Sequence, residues 1–228
     1  VNNYYKPGPA SSDRKYFVDA YGSYVKDGTT YADSYPQMYL SGNVNTKYPE
    51  LGAANDASTI YWHNGAGYGN YNSLLNNQLE LQGPQGREVY TTTHSAEKAF
   101  DMICQYAGAS LVRDAVDERA CSDAKSGTAT FTNGGNGSKG GIIDTQTAVG
   151  GWPTYDATAE ITAVKDSDTD GMPDWFEKEF GLDSSKAADS ADKTLDSYRR
   201  YTNLEMYLHY LVRQTTAAQN EGGEYVNI

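Results

Sequence analysis

One acidic stretch organises the C-terminal third of the chain, and it reads Asp166-Ser167-Asp168-Thr169-Asp170-Gly171-Met172-Pro173-Asp174-Trp175-Phe176-Glu177. It matches the calcium-loop pattern D-x-D-x-D-G-x5-E at every required position. Ca²⁺ takes about 6–8 oxygen ligands, and a loop of this kind supplies them from carboxylates, one backbone carbonyl and a final bidentate glutamate. The spacing therefore predicts a calcium site whose ligands are Asp166, Asp168, Asp170, the Met172 carbonyl, Asp174 and Glu177.

A solvated acidic linker is the alternative, because acidic stretches are common in a chain with a net charge of −12. Gly171 and Glu177 favour the calcium site, since they fall at the sharp turn and at the last ligand position. Without a cation the clustered carboxylates would repel one another, so an empty loop is expected to be disordered or partly protonated. Pro173 replaces the residue that pairs two EF-hand loops, and residues 183–196 lack the spacing of a second loop. We therefore expect a lone structural site.

Helical signals follow the loop and define a predicted region over residues 165–228. The pattern predicts a helix over Asp174–Phe180 that ends at Gly181. After an acidic, serine-rich linker, Thr202 and Glu205 have the spacing of a capping box, in which each side chain satisfies a free backbone amide of the other residue. Apolar residues then recur at helical spacing, namely Leu204, Tyr207, Leu208 and Leu211.

The predicted middle region, residues 89–164, contains a helical hairpin and a glycine-rich loop. Ser95 is expected to cap the first helix, and a second helix is expected over roughly Arg113–Ala124. Cys104 and Cys121 lie at equal depth in these two helical patterns. If the protein is secreted, we expect them to form a disulfide, because a short hairpin brings such positions within about 4.4–6.8 Å between their Cα atoms.

The predicted N-terminal region, residues 1–88, consists of short β-type runs separated by turn residues. Strands of this length suit either a β-sandwich or the successive coils of a solenoid, and the lack of clean alternation favours coils. Tyr61, Trp62, Tyr68 and Tyr71 surround a glycine-rich loop and are candidates for a sugar-stacking platform, although such residues are more common as ordinary loop edges. The three histidines, His63, His94 and His209, are scattered and predict no site.

Composition narrows the classes of function. The chain has 30 acidic and 18 basic residues, and no window carries the Lys/Arg cluster that binding to phosphate backbones requires. A nucleic-acid partner is therefore excluded. No apolar run approaches the roughly 18–20 residues that span a bilayer, so we expect no membrane span and a soluble chain. The acidic balance and the 20 tyrosines suit a secreted, periplasmic or cell-surface protein.

Several blocks of the chain resemble the C-terminal part of bacterial pectate lyases of polysaccharide lyase family 1. Together they cover about half of the chain in order, and they are Val1–Ala10, Val89–Ala99, Gly108–Asp117, Gly141–Asp144, Val149–Pro153, Asp166–Leu182 and Tyr201–Leu208. The resemblance implies a mainly β fold. It would comprise the C-terminal coils of a right-handed parallel β-helix, followed by a small α-helical extension that contains the calcium loop.

The resemblance also implies an activity, calcium-assisted β-elimination of polygalacturonate, with pectate, an acidic plant polysaccharide, as the substrate. In the family, the catalytic arginine and the carboxylates of the catalytic Ca²⁺ precede the Asn-Asn-Tyr-Tyr segment, which begins here at Asn2. No arginine stands in the family's R-x-P-x-x-R context; the seven are Arg14, Arg87, Arg113, Arg119, Arg199, Arg200 and Arg213. We therefore carry over no catalytic residue and expect a preceding β-helix segment to supply the catalytic coils.

Two classes of function remain open. The first is part of an extracellular pectate lyase, with this chain inactive by itself. The second is a noncatalytic, calcium-stabilised module that binds polysaccharide or docks to a partner, as a dockerin does. Dockerins need two duplicated calcium loops, and this sequence has one, so the lyase is favoured.

Overall fold

The computed structural model describes residues 1–11, 13–21, 24–31, 36–63, 74–154 and 164–227. The chain divides into two compact units. One comprises Val1–Gly151 together with Asn220–Ile228, and the other comprises Trp152–Gln219. Within the described residues, no helix is both long and apolar enough to cross a lipid bilayer.

The described residues of the first unit form eight short strands, which are β1 (Tyr4–Tyr5), β2 (Val18–Tyr21), β3 (Tyr24–Lys26), β4 (Thr29–Tyr31), β5 (Val44–Asn45), β6 (Ile60–His63), β7 (Tyr90–Thr93) and β8 (Glu224–Asn227). They form four sheets of two strands each. β1 pairs with β5 and β2 with β6 in parallel, whereas β3 pairs with β4 and β7 with β8 antiparallel. Tyr90 and Tyr225, on β7 and β8, stack with their ring centroids 5.2 Å apart.

The predicted mainly β fold with β-helix coils is wrong. The chain is mixed α/β, and the described residues show only short strands in small sheets, with no β-helix. A strand inside a stack of coils needs a hydrogen-bonded neighbour on each side, and each of the eight described strands has one described neighbour. The start of the predicted N-terminal region illustrates the difference, because only Tyr4–Tyr5 of residues 1–6 pairs as a strand.

The core of the first unit is small. Phe17, Tyr48 and Leu51 form a buried cluster against which Val18 packs. Leu51 comes from the first helix, α1 (Pro49–Ala54). Burying a large apolar side chain stabilises a fold by about 1.5–3 kcal/mol, so this cluster is a main apolar contribution around the strands.

Two further helices follow β7 in the first unit, α2 (Ala96–Tyr106) and α3 (Ala115–Ser126). The predicted cap of α2 is confirmed, because the Ser95 side chain accepts a hydrogen bond from the Lys98 amide. The second helix begins later than predicted, since the Asp114 side chain accepts from two amides of its first turn. Apolar side chains of this hairpin are only partly covered: Ile103 on α2 is 62% exposed, and Val112, in the segment before α3, is 76% exposed.

The predicted disulfide is absent, because Cys104 and Cys121 are both free thiols. The Arg113 guanidinium occupies the space around Cys121, where its Nη1 donates to the Cys121 sulfur at 2.9 Å and to the Cys104 carbonyl at 2.7 Å. Arg113 therefore joins the two helices through hydrogen bonds.

The described part of the second unit, residues 152–154 and 164–219, contains two α-helices, α4 (Asp174–Phe180) and α5 (Asn203–Ala218). Phe176 is buried between the helices, with its ring centroid 4.9 Å from Tyr207 and 5.6 Å from Tyr210. The predicted helix over Asp174–Phe180 is confirmed, and Gly181 ends it in the left-handed conformation with φ of 73°. The capping box of Thr202 and Glu205 is also confirmed.

Candidate metal centre

The acidic loop folds around its first carboxylate. Asp166 accepts hydrogen bonds from the Thr169 amide at 2.7 Å and from the Gly171 amide at 3.0 Å. Gly171 turns the chain with φ of +95°, a conformation that residues with a Cβ rarely adopt. The backbone is thus wrapped so that the aspartates at alternate positions can face one interior point.

Carboxylate oxygens converge in two overlapping groups. Asp166, Asp168 and Asp170 each place one oxygen within 4.8 Å of the others, and so do Asp170, Glu177 and Asp189. Asp170 belongs to both groups, which makes the arrangement continuous. Glu177 comes from α4, and Asp189 comes from a separate 3₁₀ turn, Ala187–Ala191.

These oxygens fit the demands of a hard cation. Six buried carboxylate oxygens have no hydrogen-bond partner, namely both of Asp168, both of Glu177, Oδ2 of Asp170 and Oδ1 of Asp189. Buried polar atoms are nearly always hydrogen-bonded, so six orphaned acceptors at one place need a cation or protons to satisfy them. Their number and chemistry match Ca²⁺, which takes about 6–8 oxygens, whereas zinc favours nitrogen and sulfur ligands.

Bringing these carboxylates together raises the pKa of two of them, Glu177 and Asp168. The pKa of Glu177 is raised to about 7, first by burial and then by the negative charges of Asp168, Asp170, Asp189 and Asp174. Burial also raises the pKa of Asp168, again with help from the neighbouring aspartates. A divalent cation would reverse both shifts, because it stabilises the ionised form of each carboxylate.

Asp174 lies outside both groups of converging oxygens. Its Oδ2 accepts from the Lys165 ammonium at 2.6 Å and from the Ser167 hydroxyl at 2.9 Å, and its Oδ1 accepts from the Ser167 amide at 2.8 Å. The hydrogen bonds to Lys165 and Ser167 lower the pKa of Asp174. This carboxylate therefore fastens the start of the loop to the start of α4.

Met172 and Pro173, the loop residues before α4, are buried. The Met172 amide donates to Asp170 Oδ1 at 2.8 Å, which orients that carboxylate. The Pro173 carbonyl accepts from the Phe176 amide at 2.8 Å, so the proline starts the helix that carries Glu177. The ligand glutamate and the buried Phe176 are therefore positioned by the same short helix.

Sequence reasoning missed Asp189. This side chain is only 6% exposed, although it lies in the acidic linker where no metal spacing is visible. Its Oδ2 accepts from the Asp183 amide at 3.0 Å, which leaves Oδ1 facing the other carboxylates. Its acidic character was the only available signal, and many neighbouring linker residues share it.

The other candidate residues form no comparable centre. Tyr61 is exposed and stacks on Tyr16 at 5.3 Å between ring centroids. Tyr68 and Tyr71 lie outside the described residues, so the sugar-stacking platform stays a prediction. His94 Nε2 makes a hydrogen bond with the Glu221 carbonyl at 3.2 Å. His209 lies exposed on α5.

Comparison with known proteins finds relatives among fungal proteins named probable pectate lyase C. Those of Aspergillus fumigatus and Neosartorya fischeri are each 34% identical over 127 residues, and that of Aspergillus flavus is 35% identical over 123 residues. The matches cover 54% of this chain and 26% of each relative, so the chain spans about a quarter of their length. No family model and no solved structure matches. The comparisons support a relationship to pectate lyases, with fungal relatives in place of the expected bacterial ones.

Proposed function

We propose that this chain is the calcium-binding part of an extracellular pectate lyase, with Ca²⁺ held structurally by the loop of residues 166–177. The six buried carboxylate oxygens without hydrogen bonds carry the calcium assignment. The ligand set that the loop spacing predicts is Asp166, Asp168, Asp170, the Met172 carbonyl, Asp174 and Glu177, and this set stays a prediction. The relationship to fungal proteins named probable pectate lyase C supports the lyase assignment.

The ion's contribution here would be charge neutralisation among buried carboxylates. The residues of the chain position the ligands. Gly171 forms the turn, Asp166 orders the loop amides, and α4 holds Glu177 beside the aspartates. Phe176, on the same helix, packs against α5. Closing the loop would therefore also fix the apolar core of the second unit.

The substrate we propose is pectate, cleaved by calcium-assisted β-elimination in the complete protein. With a net charge of −12 the chain would repel an acidic polymer. The substrate would therefore have to bind where bound cations offset the negative charge of the protein. We place the base and the catalytic cation in a preceding segment of the same protein. The loop of residues 166–177 would then hold a second, structural ion.

Calcium titration of the 228-residue chain by calorimetry tests the metal assignment. We expect one binding site and a melting temperature that rises with free Ca²⁺, because an ion that binds only the folded form stabilises it by RT ln(1 + [Ca²⁺]/Kd). At a hundred times Kd this amounts to about 2.7 kcal/mol. Mg²⁺ is the control, since it is smaller and retains its waters. No binding heat and no thermal shift would refute the calcium site.

A noncatalytic polysaccharide-binding or docking module is the second candidate. It is favoured by the compactness of Trp152–Gln219 as a unit of its own, with the candidate metal centre inside it. Affinity electrophoresis in gels with polygalacturonate, with Ca²⁺ or with chelator, addresses this candidate. Retardation that needs Ca²⁺ and that Glu177→Gln abolishes would support it. Equal migration under all conditions would contradict the binding-module candidate and leave the lyase as the single proposal.

A further inference from the structure

Asp189 has the features of a metal ligand, although it lies outside the loop of residues 166–177. It is 6% exposed, and its Oδ1 is buried without a hydrogen-bond partner. One of its oxygens lies within 4.8 Å of carboxylate oxygens of both Asp170 and Glu177. Glu177 is 0% exposed, and both of its oxygens also lack partners. Glu177 and Asp189, both buried, and the partly exposed Asp170 thus share one small volume.

Asp189 and Asp174 differ in whether a positively charged side chain lies beside the carboxylate. Asp174 is paired with Lys165 at 2.6 Å, and both of its oxygens accept hydrogen bonds. Asp189 forms no ion pair with any described lysine or arginine. Leaving a buried carboxylate without a cation or a full set of donors is strongly unfavourable. A bound cation removes that penalty at Asp189 but is not needed at Asp174.

We propose that Asp189 is a direct ligand of the calcium ion, in the place that the loop pattern assigns to Asp174. Asp174 then acts as a positioning residue that fastens the loop to α4. This inference rests on the proposed function, because it requires the loop to bind Ca²⁺. It adds a ligand from a second segment of the chain, so the ion joins the loop to the 3₁₀ turn Ala187–Ala191.

The same turn is linked to α5. The Asn203 side chain is fully buried, and its Nδ2 donates to the Asp189 carbonyl at 2.9 Å. The Asn203 amide also donates to the Asp192 carbonyl at 2.7 Å. Coordination by Asp189 would therefore fix the linker between the two helices and, through Asn203, the start of α5.

Calcium calorimetry on variants of the full chain tests the proposal. Asp189→Asn should weaken Ca²⁺ binding by at least about 100-fold, because it removes a charged ligand oxygen, whereas altering a supporting partner typically costs about 10–100-fold. Asp192→Asn is the matched control, since it removes an exposed charge from the same segment, and it should change Kd by less than about threefold. Unchanged affinity in Asp189→Asn would overturn the proposal.

Terbium luminescence separates a ligand from a positioning residue. With Tb³⁺ as the probe, lifetimes in H₂O and D₂O report how many waters the bound ion keeps. Asp189→Ala should add about one water, because it removes the side-chain oxygen and opens a coordination position, and Asp174→Ala should add none. The proposal fails if the hydration number is unchanged in Asp189→Ala, or if Asp174→Ala raises it equally.

Thermal melting supplies a second readout that does not require tight binding. In chelator, Asp189→Asn should raise the melting temperature, because it removes one of three neighbouring carboxylates that repel one another. In saturating Ca²⁺ the same change should lower it. A variant less stable than the parent under both conditions would indicate a purely structural aspartate. Absence of calcium binding by the parent chain would instead refute the proposed function itself.

Discussion

At the scale of single residues, Glu177 links protonation, metal binding and stability. Its pKa is raised from 4.5 to about 7 in the folded chain, mainly by burial. The ion-free folded state therefore binds a proton more tightly than the unfolded state does. This contribution to stability is complete below about pH 4.5 and is lost as the pH rises through about 7.

We predict that, in chelator, the melting temperature falls between about pH 5 and pH 8, and that Glu177→Gln flattens this dependence. Melting curves followed by circular dichroism at the two pH values provide the measurement. Glu179→Gln is the control, because it removes an exposed carboxylate from the same helix. A parent chain whose ion-free melting temperature is equal at both values would contradict the raised pKa.

With calcium present, the pH dependence should reverse. Ca²⁺ binds the ionised glutamate, so its affinity should increase as the pH rises through about 7. At saturating Ca²⁺ and pH 8, Glu177→Gln should lower the melting temperature of the second unit by about 10 °C, since the ion's contribution is about 2–3 kcal/mol. A loss below about 2 °C, equal to that of Glu179→Gln, would contradict this role.

At the scale of elements, the N-terminus of α5 depends on two neighbouring polar residues. Thr202 and Glu205 form the capping box, whereas the buried Asn203 accepts from the amides of Thr194 and Leu195, both at 3.0 Å. Thr202 and Glu205 are at least partly exposed to solvent, whereas the Asn203 side chain is fully buried. Their removal should therefore have unequal effects.

We predict that Thr202→Ala destabilises the second unit by about 1 kcal/mol and Asn203→Ala by about 2–4 kcal/mol. The larger value follows because the substitution of Asn203 leaves the partly buried amides of Thr194 and Leu195 without this acceptor and the Asp189 carbonyl without this donor. Urea denaturation in saturating Ca²⁺ measures both. Gln214→Ala, at an exposed site on the same helix, should change stability by less than about 0.5 kcal/mol. Equal losses for Thr202 and Asn203 would show that the buried contacts add nothing.

The metal loop should also control the order of the segment around it. Chelation should increase hydrogen exchange first over residues 166–211, because the ion holds together carboxylates that otherwise repel one another. Trypsin should then cut near Lys165 or Lys178. Exchange in α2 provides the internal reference, since that helix belongs to the first unit. If hydrogen exchange rates and trypsin cleavage are identical with and without Ca²⁺, the loop is an acidic linker and not a calcium site.

At the scale of the whole molecule, the isolated chain should show no lyase activity. β-Elimination needs a base and a cation that stabilises the developing charge, and we assign both to a preceding segment. The assay follows the absorbance of unsaturated uronate with polygalacturonate and Ca²⁺. Robust turnover by this chain would show that the catalytic site lies within it.

Local patterns in the sequence were sufficient for most of the second unit. The loop spacing, the helix Asp174–Phe180, its end at Gly181 and the capping box at Thr202 each depend on residues a few positions apart. Backbone geometry and side-chain hydrogen bonding act over that range, so such features can be recognised without knowledge of the fold. The convergence of Asp166, Asp168 and Asp170 is of the same kind.

The tertiary structure alone decided the features that depend on distant segments. The short β-type runs do not specify their partners, and pairing in separate two-stranded sheets replaced the expected β-helix. The hairpin spacing did not reveal that Arg113 would lie against Cys121. Asp189 reaches Glu177 only because its turn folds back onto α4, and Asp174 is paired with Lys165 instead. The physical reason is common to all three: long-range packing selects among arrangements that local sequence leaves equally open.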